Sequence, residues 1–234
     1  MSSKKILFLH GYAQSASIFS AKTGGLRKAL KKQGYDSHYV NGSLALKGDM
    51  LHDSTDEDLD LYGWWVYGMK DYDIQPALDQ VLEEAKKHGD EVEGIIGFSQ
   101  GGGLSGAIAA QYKKYIPSLK WAVFFSGFRL MPQRFDSWYE PKIELPTLHV
   151  LGELDTVVEE SRVLKLYDAS QDEKRTLLKH QGGHYVPNNK DFVNKIVAWI
   201  IDATKEKEPE STKKDDDDGI DDDLLAAIDN IGKK

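Results

Sequence analysis

The chain has 234 residues, 40% of them hydrophobic, and no cysteine. That length suits one domain of about 200 residues plus an appendage, and the missing thiols exclude disulfides, a cysteine nucleophile and thiolate metal sites. A formal charge of −8 argues against general nucleic-acid affinity, and no stretch approaches the ~20 apolar residues of a membrane span.

Lys4 to Leu9 (KKILFL) reads as the first strand, and the loop His10-Gly11-Tyr12-Ala13-Gln14 follows it. A helix is predicted over Thr23–Lys32, ending at Gly34, then a strand over Ser37–Val40. Asn41 to Asp73 is too long for an ordinary connection. It is acidic around Asp53 to Asp60 and then aromatic, with Tyr62, Trp64, Trp65, Tyr67 and Tyr72. Pro76 suits the first turn of a helix over Pro76–His88, which Gly89 should end. Val92–Phe98 is the next strand, and Gly102–Lys114 has helical spacing. Strands over Trp121–Phe125, Thr147–Leu151 and Arg175–Lys179 follow, with helices over Ser161–Ala169 and Lys190–Thr204. Between them lies a second irregular stretch, Gly127 to Glu144, carrying Phe128. This alternation predicts an α/β fold, a mostly parallel central sheet with helices on both faces.

Residues 1–204 therefore form the expected domain, and 205–234 an acidic tail. The tail holds six lysines against eleven acids, which leaves three of the eight excess negative charges to the rest of the chain. Ile220, Leu224, Ile228 and Ile231 place one apolar stripe on a short helix near 220–231. So short a helix is marginal alone. Docking on a protein partner and a merely solubilising tail are equally expected.

The chemistry is concentrated at strand ends. Gly97-Phe98-Ser99-Gln100-Gly101 has the form G-x-S-x-G at a strand-to-helix turn. Such a turn strains the central residue and stands its hydroxyl above the sheet. A serine hydroxyl needs a base, and the base needs an acid to hold it. Asp155 follows the strand Thr147–Leu151, with Glu153 as the second choice. His184 lies in the glycine-rich loop before the last helix. Serine, acid and histidine thus occur in the chain order of α/β-hydrolases. The backbone N–H of Gln100 and that of Tyr12, or failing it Ala13, are the expected oxyanion donors. His10 is expected to be structural. Trp64, Trp65 and Phe128 are candidates to line a substrate pocket, because loops at this rim commonly shape it.

Gly101-Gly102-Gly103-Leu104-Ser105-Gly106 formally fits a dinucleotide fingerprint. The following strand region, Trp121 to Ser126, lacks the acid that such a site requires. Close helix packing explains these glycines better. No H-E-x-x-H helix occurs among the seven histidines. No organic cofactor and no metal are expected.

Leu9-His10-Gly11-Tyr12-Ala13-Gln14-Ser15, Gly97-Phe98-Ser99-Gln100-Gly101, Gly152-Glu153-Leu154-Asp155 and Gly183-His184-Tyr185-Val186-Pro187-Asn188 together resemble the fungal serine hydrolase (FSH) family. The resemblance runs from about Lys4 to about Ala203. It implies an α/β-hydrolase with Ser99, Asp155 and His184 as nucleophile, acid and base. The substrates it implies are small or lipid-like carboxylic esters, with acyl thioesters as the alternative. A competing expectation is a non-catalytic binding protein acting through its tail. Cytoplasm is the expected compartment, with nuclear entry left open.

Overall fold

A computed structural model describes residues 3–47, 50 and 60–205. The chain divides after Thr204 into two units. The tail beyond Lys205, with its expected stripe at Ile220 to Ile231, lies outside the described residues, as does most of the acidic run before Asp60.

Six parallel strands form the sheet: β1 (Lys4–Leu9), β2 (Tyr35–Val40), β5 (Val92–Phe98), β6 (Trp121–Phe125), β7 (Thr147–Gly152) and β8 (Arg175–His180), in the spatial order β2-β1-β5-β6-β7-β8. A separate antiparallel pair, β3 (Leu44–Ala45) and β4 (Tyr62–Gly63), lies inside the long insertion. The central strands carry near-continuous apolar runs because both of their faces are covered. In β1, Ile6 and Phe8 pack on one side with Phe19, Leu26 and Ile196. Leu7 and Leu9 pack on the other with Leu78, Leu104 and Val163. The first side is covered by α1 (Ala16–Lys22), α2 (Gly24–Lys32) and α7 (Lys190–Ala203). The second is covered by α3 (Gln75–His88), α4 (Gln100–Ala110) and α6 (Glu160–Asp168).

Two differences from the predicted elements have local causes. The helix expected at Gly102 starts at Gln100, directly after Ser99, and breaks at Gln111, where φ is −118° and ψ 27°. Gln111 Nε2 donates to the Trp138 carbonyl at 2.6 Å there, and a short α5 (Tyr112–Tyr115) follows. The unpredicted α1 spans only seven residues and buries only Phe19, too little to show a periodic stripe. Its signal was the cap: Ser15 Oγ accepts the Ile18 N–H at 3.3 Å.

The chain leaves β1 toward β2 in one direction and continues from β5 toward β8 in the other. The sheet therefore opens a crevice between the C-terminal ends of β1 and β5. Glycines let α4 close on that point. A Cβ on Gly101 would fall on the carbonyls of Leu9 and His10, and one on Gly97 on the Gly101 carbonyl and Ser105 Oγ.

Two histidines are buried without charge. Burial lowers the His10 pKa to about 4, partly offset by its bond to the Gly11 carbonyl. Burial, with Arg175 nearby, lowers that of His149 to about 3. The unfolded chain takes up these protons from about pH 6.5 downward. It therefore binds more protons than the fold across the window from about 6.5 to about 4, so stability rises with pH there. Each histidine contributes a slope of about 1.4 kcal/mol per pH unit in the lower part of that window. Urea unfolding at about pH 7 and about pH 5 should show a clear loss at the lower value, reduced in His149→Gln. Equal stabilities at the two pH values would contradict the neutral, buried assignment.

Candidate active site

Three strands end in residues forced into left-handed backbone. Ala13 (φ 53°) lies in the loop after β1, Ser99 (φ 52°) follows β5, and Ser126 (φ 44°) follows β6. Among the described residues these are the non-glycine positions with positive φ, and backbone strain of this kind clusters where a site needs a side chain aimed. Ser99 is held by its N–H on the Phe125 carbonyl at 2.9 Å, and it caps α4. Its hydroxyl forms no hydrogen bond among the described residues.

Asp155 sits where β7 has turned back on itself, its N–H bonded to the Gly152 carbonyl at 3.1 Å. Its carboxylate is almost fully enclosed and four times bonded. Oδ1 accepts the N–H groups of Val157 and Val158, both at 2.9 Å. Oδ2 accepts Ser126 Oγ–H at 2.7 Å and His184 Nδ1–H at 2.8 Å. Burial is the largest single influence and raises the Asp155 pKa, but the four hydrogen bonds together outweigh it and hold the carboxyl below its ordinary value. A carboxylate bonded to Nδ1 fixes the tautomer, leaving Nε2 as a lone-pair acceptor. The Phe98 ring lies 4.7 Å from the His184 ring and braces it. Glu153 is exposed and makes no side-chain bond to His184 among the described residues.

Ser99, His184, Tyr12 and Gln100 all line one cavity of about 610 Å³. The Gln100 N–H is among the first of α4, which have no partner within a helix. Ala13 and Gly11 line the same wall, so the loop after β1 faces the serine. His10 lies beneath that loop: Nδ1–H donates to the Gly11 carbonyl at 2.7 Å and Nε2 accepts the Gly42 N–H at 2.9 Å. Both nitrogens are engaged, as a structural histidine requires.

Trp65 and Phe128 line the cavity, with rings 6.4 Å apart and edge to face. Trp64 does not. Its ring is buried, and its indole N–H donates to the His10 carbonyl at 2.7 Å. Their place in an aromatic loop at the rim made both tryptophans candidates, and that place carries no sign of which way each side chain turns.

Two features escaped the sequence reading. Ser126 had no motif to mark it; its only signal is its place directly after a core strand. Gln100 does more than supply an N–H. Its Oε1 accepts the Trp64 N–H at 2.8 Å and its Nε2 donates to the Trp65 carbonyl at 2.9 Å, which pins the long insertion to the residue after Ser99.

The family described as Serine hydrolase (FSH1) matches residues 1–196. "Family of serine hydrolases 3" of Saccharomyces cerevisiae is 38% identical, covering 98% of each chain. "Esterase OVCA2" of Danio rerio is 32% identical over 78% of this chain and 90% of its own. Among solved structures, Zea mays acyl-protein thioesterase 2 superposes with a TM-score of 0.61 at 15% identity, over 87% of this chain and 94% of that one. At that identity the likeness concerns the fold.

Ser126→Ala should lower stability at neutral pH by about 1 kcal/mol, because it removes one bond to an enclosed carboxylate. The folded pKa of Asp155 is depressed, so its bonds stabilise above the ordinary carboxyl value and the contribution is lost as pH falls through the folded one. Chemical unfolding of the pair of proteins should show the deficit at about pH 7 and a smaller one near pH 3. A deficit that is constant with pH would mean that Ser126 does not act through Asp155.

Proposed function

Because the chain belongs to the Serine hydrolase (FSH1) family, we propose that it cleaves carboxylic esters of small or lipid-like acyl groups through an acyl-enzyme on Ser99. The observation that carries this reading is His184, bonded at 2.8 Å to the enclosed Asp155 and lining one cavity with a serine held at φ 52°.

In the proposed cycle Ser99 Oγ adds to the acyl carbonyl while its proton passes to His184 Nε2. Asp155 stays ionised and stabilises the imidazolium through Nδ1–H. The N–H groups of Tyr12 and Gln100 take the negative charge that develops on the carbonyl oxygen. His184 then returns the proton to the leaving alkoxide, and the alcohol departs. Water repeats the sequence: its proton goes to His184, its oxygen to the acyl carbon, and Ser99 recovers its proton as the acid leaves. Trp65 and Phe128 are the apolar surface on which the acyl group would rest, and no step needs a metal or an organic cofactor.

A thioester would follow the same path with a thiolate leaving. The name of the Danio rerio relative favours oxygen esters, and that of the maize fold neighbour is the reason to assay thioesters beside them.

Fluorophosphonate labelling and p-nitrophenyl ester turnover should both vanish in Ser99→Ala. Asp155→Asn should lower kcat by about 10³ to 10⁴, because the imidazole loses its tautomer and its counter-charge. A well-folded wild type that neither labels nor turns over esters would sink the proposal, and loss of a captured partner on deleting residues 205–234 would then favour the binding-protein reading.

A further inference from the structure

Arg162 is a guanidinium with no acid partner among the described residues. It stands in the first turn of α6 and lines the cavity that Ser99 and His184 also line. Three other arginines are neutralised: Arg129 pairs with Asp136, Arg134 with Asp71, and Arg175 with Asp168 and Asp172. No carboxylate among the described residues pairs with Arg162. The acids close to it in the chain are committed elsewhere. Asp155 is bonded to His184 and Ser126, Glu159 accepts Ser161 Oγ at 3.4 Å, and Glu160 pairs with Lys179 at 2.7 Å.

What holds the guanidinium is an aromatic face. Its central carbon lies 4.1 Å from the centroid of the Phe128 ring. Stacking of this kind covers one face of the planar cation and leaves its five N–H donors, which point outward in the plane, free at the edge. The surrounding wall is apolar, with Trp65, Met131 and Val158. There a fixed positive charge acts in a lower dielectric than water and attracts an anion correspondingly more strongly. Tyr72 adds a second donor. Its oxygen accepts the Met131 N–H at 3.1 Å, which leaves its own hydroxyl proton to give.

We propose that the cavity selects esters carrying a free carboxylate, monoesters of dicarboxylic acids, with the carboxylate of the acyl chain received by the fork of Arg162 and the hydroxyl of Tyr72. The apolar chain between the two carboxyl groups would lie along Trp65 and Phe128, and the scissile carbonyl would reach Ser99. This rests on the hydrolase reading for the position of the ester, but not for the binding of the anion. A planar bidentate donor set favours a carboxylate.

The test reads binding first, so that it does not depend on turnover. Ser99→Ala protein is titrated calorimetrically with monomethyl suberate and with dimethyl suberate, which differ by one charge at nearly equal length. The monoanion should bind about tenfold tighter or better, the usual strength of a charge-assisted pair. The preference should disappear when Arg162→Met is added, and Arg162→Lys, which keeps the charge without the fork, should retain part of it. Equal binding of the two esters, or a preference that survives Arg162→Met, overturns the proposal. Should the methionine variant not fold, the wild-type pair of affinities and the lysine variant still decide it. Fluorophosphonate labelling of the wild type is scored separately: labelling without anion preference rejects Arg162 alone, whereas anion preference without labelling rejects the hydrolase reading and keeps the anion site. An adventitious attraction to charge would also appear with acetate alone, and equal tightening by acetate counts against the proposal.

Discussion

The close approach of α4 to β1 and β5 is the contact on which the rest of the site depends. The helix begins one residue after the strand ends, so the chain must reverse within the width of one peptide. That reversal places Ser99 at φ 52° and brings Gly101 against the carbonyls of Leu9 and His10. Any side chain at Gly97 or Gly101 would push the helix off the sheet. The hydroxyl, the first N–H groups of α4 and the loop after β1 would then separate together. The strain at Ser99 is sustained because the buried strands on either side leave the backbone no alternative path.

A second constraint works from the acid outward. Asp155 takes bonds from its own loop, from the end of β6 and from the loop that carries His184. A buried carboxylate is tolerated only when its oxygens are satisfied, so the loops cannot drift independently without exposing that group. The position of His184 over the rim thus follows from an electrostatic requirement as much as from packing. Ser126, strained at φ 44°, is one of the three segments held in this way.

Much of the architecture was legible because apolar runs bounded by glycine or proline have few other meanings at these lengths. β1, β5 and β6 occupy the residues that their sequences predict, since strands covered on both faces carry near-continuous apolar runs, here Ile6–Leu9, Gly94–Phe98 and Trp121–Phe125. The nearness of Asp155 to His184, and of His184 to Ser99 on one cavity, could be expected from order, because each follows a strand on the same edge of a parallel sheet. Other features were hidden because they depend on side-chain direction. Trp64 and Trp65 are neighbours in sequence, yet one closes the core under His10 and the other faces the cavity. Ser126 and the Gln100 side chain act through partners about 30 or more residues away. The break at Gln111 likewise follows from a bond to Trp138 that local propensity cannot contain.

The Gln100 side chain joins these two levels. Its amide holds the backbone of Trp64 and Trp65, while its own backbone opens α4 beside the serine. The insertion that supplies one cavity wall is therefore fastened to the turn that supplies the hydroxyl. The opposite wall, Phe128 with Arg162 stacked upon it, belongs to the segment after β6 and to α6, the helix that follows the Asp155 loop. The insertion is bonded to Gln100, the residue after Ser99, and Ser126, which ends β6 two residues before Phe128, is bonded to Asp155. A substrate that pressed the walls together would act directly on the positions of Ser99 and of the Asp155 loop. Substitutions on the α1, α2 and α7 face, which packs on the other side of the strands, reach the cavity at the rim, where Phe19 stacks on Phe98 beside His184 and the Gly25 N–H donates to Asn188 of the His184 loop.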